Sequence, residues 1–189
     1  MKLAFETILL IVLAAIVLIV IVWIMSFYNR TVSLGNQVQN AFAQIDVQLK
    51  RRTDLIPNLV ETVKGYAKHE REVLENVTKA RTQYLSATSV ADKVKTSNQL
   101  TDALSHLFAV AENYPQLKAN KNFLALQEEL STTENKIAHA RQYYNDRIME
   151  YNTYIQVMPN NMLAGMFSKH PMESLKATER EREPVKVKF

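Results

Sequence analysis

Two hydrophobic patterns divide the chain. Ile8 to Met25 is an unbroken apolar run of 18 residues, and no charge occurs between Glu6 and Arg30. From Val38 onward, apolar positions instead recur three and four residues apart. The uncharged stretch is long enough, at 1.5 Å per residue, to cross a hydrocarbon core of about 30 Å. The second pattern is that of helices with one apolar face. Together they predict an all-α protein: a single N-terminal transmembrane helix, then an up-and-down antiparallel bundle of long helices.

Residues 1–29 form the predicted anchor, with Ile8, Ile16, Trp23 and Met25 among its lipid-facing residues. Fourteen of the 18 apolar residues are Ile, Leu or Val. Their partitioning favours insertion by several kcal/mol (about 4 to 8 on central-position values). Trp23, Phe27 and Tyr28 stand where an aromatic belt belongs. A cleaved leader would have a shorter apolar core ending in small residues. This run ends Trp-Ile-Met-Ser-Phe-Tyr, so an uncleaved anchor is expected. Lys2 flanks one end and Arg30 the other, so flanking charge selects no orientation. No GxxxG pattern marks the span as a dimer seam.

The bundle is expected over residues 30–158. One row seven apart is Phe42, Leu49, Ile56, Val63, Glu70, Val77 and Tyr84. Its companion is Val38, Ile45, Arg52, Leu59, Tyr66, Val73 and Ala80. Two such rows form a stripe on one helix face, and a helix from about 32 to 86 would be ~80 Å long. The register passes through Pro57 without a skip, which predicts a kink rather than a reversal. The bundle thus has three long helices, or four if the chain breaks at Pro57.

Ser86 to Ala91 reads as the first loop. A second helix follows, with Val94, Leu100, Leu104, Leu107, Phe108 and Ala111 inward, and ends near Pro115. A third runs from about Leu117 to Met158 on the rows Leu130, Ile137, Tyr144, Tyr151, Met158 and Glu134, Arg141, Ile148, Ile155. Pro159 and Gly165 are expected to close it. Residues 159–189 then form a short apolar segment (Met162, Leu163, Met166, Phe167) and a flexible charged tail.

Polar residues on this frame are the candidates for function. Arg52, Glu70, Glu134 and Arg141 fall on apolar rows, where an unpaired charge costs several kcal/mol. They are expected to pair between helices and fix register, Glu134 and Arg141 with the charges on the first helix, or to line a seam that recognises another chain. Arg51, Asp54, Asn58 and Glu61 form a polar stripe off the core rows, either a solvated face or a docking surface beside the Pro57 kink. Tyr143, Tyr144, Tyr151 and Tyr154 with Asn145 and Asn152 form a patch suited to packing or to an interface.

Composition narrows the function classes. The chain has 189 residues, enough for one span and one modest domain. It has no cysteine, which removes disulfides, thiolate nucleophiles and Cys-based metal sites. The net charge of +4 is dispersed, so no nucleic-acid arm is expected. His69-Glu70 opens like a zinc-protease motif, but position 73 is Val where the second His would be needed. The residues three before His69, His106, His139 and His170 are Tyr66, Ala103, Lys136 and Phe167, so a Glu-x-x-His di-iron site fails as well. Three isolated glycines build no phosphate loop. The expectation is a non-enzyme with no cofactor, no metal and no small-molecule substrate.

The stretch Ile45-Asp46-Val47-Gln48-Leu49-Lys50-Arg51-Arg52-Thr53-Asp54-Leu55-Ile56-Pro57-Asn58-Leu59-Val60 resembles the LemA family of bacterial membrane proteins. So do Val63-Lys64-Gly65-Tyr66-Ala67, Tyr114-Pro115-Gln116-Leu117-Lys118-Ala119-Asn120, and the pairs Tyr144-Asn145 and Tyr151-Asn152. At the C-terminus the chain departs from the family's proline followed by a Gly-Phe-type segment, with Met158-Pro159-Asn160-Asn161-Met162-Leu163-Ala164-Gly165-Met166-Phe167-Ser168-Lys169-His170 in its place. The resemblance implies an anchored helical bundle in the bacterial cytoplasmic (inner) membrane, and no established catalysis. Two roles follow from it and from the heptad rows. One is a membrane-tethered scaffold that self-associates as a homo-oligomer or docks other membrane proteins. The other is an adaptor or regulator of envelope stress or membrane proteolysis, acting for example on a membrane metalloprotease.

Overall fold

The structure, a computed structural model, describes residues 2–67 and 69–175. The described residues form six helices and no strand: α1 (Lys2–Tyr66), α2 (Arg71–Ser86), α3 (Val90–Ala111), α4 (Pro115–Lys118), α5 (Lys121–Gln156) and α6 (Asn160–Met166). Most of the charged tail expected after Glu173 falls on 176–189 and so lies outside the described residues.

The chain forms two compact units. Among the described residues, one combines those of α1 as far as Phe42 with Tyr143–Ser174, and the other comprises Ala43–Gln142 and Leu175. In the first unit, the apolar part of α1 is unburied over its most hydrophobic window. Ile8, Ile16 and Met25 are exposed, and Trp23 is half-shielded. Immediately beyond, α1 becomes a core helix. Phe27, Thr31, Leu34, Val38 and Ala41 are buried, at the spacing of one helix face. The end of α5 supplies Tyr144, Ile148, Tyr151 and Ile155, and α6 supplies Leu163 and Ala164. A cleavage after the apolar run would cut into this buried face.

In the second unit, one core joins Ile56, Leu59 and Val63 of α1, Val73 and Val77 of α2, Leu100, Leu104 and Leu107 of α3, and Phe123 and Leu130 of α5. Each fully buried aliphatic side chain here contributes roughly 1.5–3 kcal/mol. Helix ends are set locally. Ser89 caps α3, its Oγ accepting the Asp92 amide at 3.0 Å and donating to the Asp92 carboxylate at 2.6 Å. Asn120 caps α5, its Oδ1 accepting the amides of Asn122 and Phe123. Pro115 opens α4, where its missing N–H costs nothing.

Four details differ from the sequence reading. The helix expected to run to about residue 86 stops at Tyr66, and α2 starts at Arg71 and runs back along it. Buried Ala67, which donates to the Val63 carbonyl at 2.8 Å, lets the two helices meet closely. The helix passes unbroken through Pro57, so the fourth long helix comes from this reversal and not from the proline. The third long helix begins at Lys121 and ends at Gln156, leaving Met158 exposed although it stands on a core row. Gly165 lies inside α6, and the left-handed residue that ends this helix is Ser168, with φ of 50°. Lys169 N–H then returns to the Ala164 carbonyl at 2.9 Å.

Candidate functional site

The central polar feature of the second unit is Arg52, 1% exposed although charged. It stands on the core row of α1, so its guanidinium must find partners inside the unit. Nη1 donates to Glu134 Oε2 of α5 at 2.5 Å and to Thr101 Oγ1 of α3 at 2.8 Å. Nη2 donates to Ser97 Oγ at 2.7 Å and to the Ser97 carbonyl at 3.1 Å. One side chain thereby ties α1, α3 and α5 at a single level. Charge-assisted bonds of this kind are about twice as strong as neutral ones. Glu134 is 45% exposed, so the ion pair meets solvent on one side.

Of the other charges on apolar rows, Glu70 sits at the reversal and accepts the Tyr114 hydroxyl at 2.8 Å. That hydrogen bond, and then burial, raise the Tyr114 phenol above its ordinary range. Arg141 is half-buried on α5, has its own polar interaction, and borders a cavity of about 10 Å³ beside Ser97 and Asn98. A space of that size holds one water at most.

The stripe Arg51, Asp54, Asn58 and Glu61 is exposed along α1. Arg51 forms an ion pair with Glu129 of α5, and Asp54 accepts from Lys50 at 2.9 Å. Asn58 and Glu61 direct their side chains to solvent beside them.

Pro57 has no N–H to give the Thr53 carbonyl one turn earlier. Arg81 Nε of α2 donates to that carbonyl instead, at 2.9 Å. The backbone group orphaned by the proline is thus answered from the neighbouring helix. Sequence reasoning missed Arg81, since only the reversal at 67–70 brings it beside Thr53. It also missed Ser97 and Thr101, although the signal existed: Ser97 interrupts the row completed by Leu100, Leu104, Leu107 and Ala111.

Tyr84 of α2 donates to Asp46 at 3.4 Å, and Lys93 of α3 donates to the same oxygen at 2.6 Å. Burial, then the Asp46 charge, push the Tyr84 phenol up to about 12 from 10. The fold therefore favours the neutral phenol. The stability gained is complete below pH 10 and is lost as pH rises through 12. Burial also raises Tyr144, Tyr151 and Tyr154, so ultraviolet titration is expected to show a late-ionising group of tyrosines whose last component, near pH 12, is lost in Tyr84→Phe.

In the first unit the tyrosine/asparagine patch is mostly structural. Tyr144 meets Phe42 with centroids 5.8 Å apart, and Tyr154 stacks on Phe27 at 5.8 Å. Asn152 pins the segment after α6 through two bonds with the Met172 backbone, at 2.8 and 2.9 Å. Tyr143 stays exposed, under the Arg147 guanidinium. Among the described residues, no group of three or more His, Asp or Glu side chains converges as a metal site would require.

The LemA family model matches residues 41–189. Protein LemA of Metamycoplasma hominis is 30% identical over 162 residues, covering 83% of this chain and 72% of the relative. Magnetosome protein MamQ 2 of Paramagnetospirillum magneticum is 24% identical over 72% of this chain, which spans 60% of that protein's length. Magnetosome protein MamQ of Magnetospirillum gryphiswaldense is 22% identical over the same shares. With its apolar N-terminal helix continuing directly into a helical bundle, the chain belongs to the LemA family and is a membrane-associated, single-pass protein.

Proposed function

We propose that the protein is a membrane-tethered helical scaffold that self-associates or docks another membrane protein, without catalysis of its own. The observation that carries this reading is the double use of α1. One unbroken helix, Lys2–Tyr66, holds both the apolar span and the exposed stripe of Asp54, Asn58 and Glu61. Arg51, at the head of the stripe, is already engaged with Glu129, which fixes one edge of the face and leaves the rest to solvent. In this role the protein crosses the bacterial cytoplasmic membrane once.

Photocrosslinkers placed at 54, 58 and 61 in the full chain, in native membranes, test the reading. Discrete adducts are expected, absent from a reference position at Thr82 on α2. Their mass separates a second copy of this chain from a different membrane protein, a membrane metalloprotease among them. Asp54→Asn with Glu61→Gln is expected to remove the adduct from position 58 while shifting stability by no more than about 0.5 kcal/mol, as exposed substitutions do. Equal crosslinking from 58 and 82 would count against the docking face.

A further inference from the structure

The end of α5, α6 and the segment after it carry an exposed methionine face that the fold does not use. Met158, Met162 and Met166 are 81%, 66% and 76% exposed. Met162 and Met166 are one turn apart and so share a face of α6, while Leu163 and Ala164 turn into the unit. An apolar patch of this kind needs a cover.

Its height along the anchor says which. The end of α5 runs antiparallel to α1: Arg30 bonds Glu150 at 2.8 Å, and one turn on Phe27 stacks on Tyr154. α5 continues inward past that level to its end at Gln156, and Met158 follows in the turn that leads to α6. A hydrocarbon layer of about 30 Å that begins near Thr7 ends near Phe27, roughly twenty residues on. The end of α5, and the turn with Met158 that caps it, therefore stand at the edge of the layer that holds the anchor. Phe167 then rests on both Phe27 and Tyr28, with centroids 6.2 and 5.8 Å away. The left-handed turn at Ser168 brings Lys169 over the Tyr28 ring, at 5.9 Å. The methionine face is thus continuous with the aromatic end of the span, with cations Lys169 and Arg30 just beyond it.

We propose that α6 and Met158 form a membrane-embedded foot, with the Met158, Met162 and Met166 side chains in the acyl-chain boundary and Lys169 at the headgroup phosphates. Methionine suits this position because its flexible thioether packs against mobile chains. The arrangement is that of an interfacial helix, here stacked on a span rather than lying free. The inference rests on α1 being that span. It adds a second, peripheral lipid contact that fixes how the first unit stands on the bilayer.

The chain's lack of cysteine makes the test direct. Met162→Cys, Met166→Cys, Ile16→Cys and Thr82→Cys, each alone in the full chain, would carry a nitroxide in vesicles of equal parts phosphatidylethanolamine and phosphatidylglycerol. Collisions with oxygen, which concentrates in lipid, are compared with collisions with a water-soluble nickel chelate. Oxygen is expected to dominate at 16, 162 and 166, and nickel at 82. Nickel dominating at 162 and 166 while oxygen dominates at 16 overturns the foot and leaves the span intact. Nickel dominating at 16 as well removes the span and the foot with it. Labels at 162 and 166 shielded from both reagents and broadened by one another between copies would assign the face to a second copy, which also overturns the proposal.

Discussion

Arg52→Ala is expected to destabilise the second unit by about 3 kcal/mol, in urea unfolding of the full-length protein in detergent followed by circular dichroism. Removing one partner of a buried pair costs roughly 3–5 kcal/mol, since the other is left unanswered. The low end applies because Glu134, 45% exposed, regains water when the guanidinium leaves. Most of the loss instead comes from the space vacated and from Ser97 and Thr101, which lose their donor. Glu134→Gln, by contrast, should cost about 1 kcal/mol, because Arg52 keeps both α3 partners. Arg52→Met with Glu134→Leu replaces the pair by apolar bulk and should fall closer to the original protein than Arg52→Ala does. A loss below 1 kcal/mol for Arg52→Ala would mean that the three helices do not depend on this residue for their register.

Arg81→Met is the second large effect, about 2 kcal/mol, the range for a hydrogen bond from a charged group to a buried acceptor. Its interest lies in the dependence on Pro57. In the Pro57→Ala background the residue 57 amide can return to the Thr53 carbonyl, so Arg81→Met should cost only about 0.5 kcal/mol. The difference, near 1.5 kcal/mol, is the coupling between a proline in α1 and an arginine in α2. Strictly additive effects would show that Arg81 does not stand in for the missing amide.

These two sites also mark where sequence reading stops. That Arg52 needed partners was legible, because a cation on a heptad row between Ile45 and Leu59 cannot stay dry and alone. Glu134 was expected to meet a charge of the first helix, and Arg52 is the one it meets. Ser97 and Thr101 look like ordinary polar positions until α3 is laid beside α1. The backbone hydrogen bond lost at Pro57 was legible from chemistry, whereas its replacement by Arg81 depends on a reversal that the hydrophobic pattern concealed. Ala67–Glu70 is just long enough that Glu70, Val73 and Val77 continue the rows of α1, so the heptads run across a turn as if it were helix. The remaining clues were Gly65, Lys64 in the last turn of α1, and Glu72 in the first turn of α2. Tyr66 and Met158 kept their places in the count but are exposed, because each stands where its helix stops. The methionines after Pro159 read correctly as apolar, yet only the stacking of Phe167 on Phe27 and Tyr28 tells which end of the first unit they belong to.

In α1 the apolar span passes without a linker into the buried face of the first unit. Hydrogen exchange of the full-length protein in vesicles, read by mass spectrometry over residues 20–38, measures this. Slow exchange throughout, as protected as the core amides around Leu59, is the expected result. Exchange at unfolded-chain rates between Trp23 and Leu34, or the absence of peptides upstream of it from the membrane-bound protein, would contradict it.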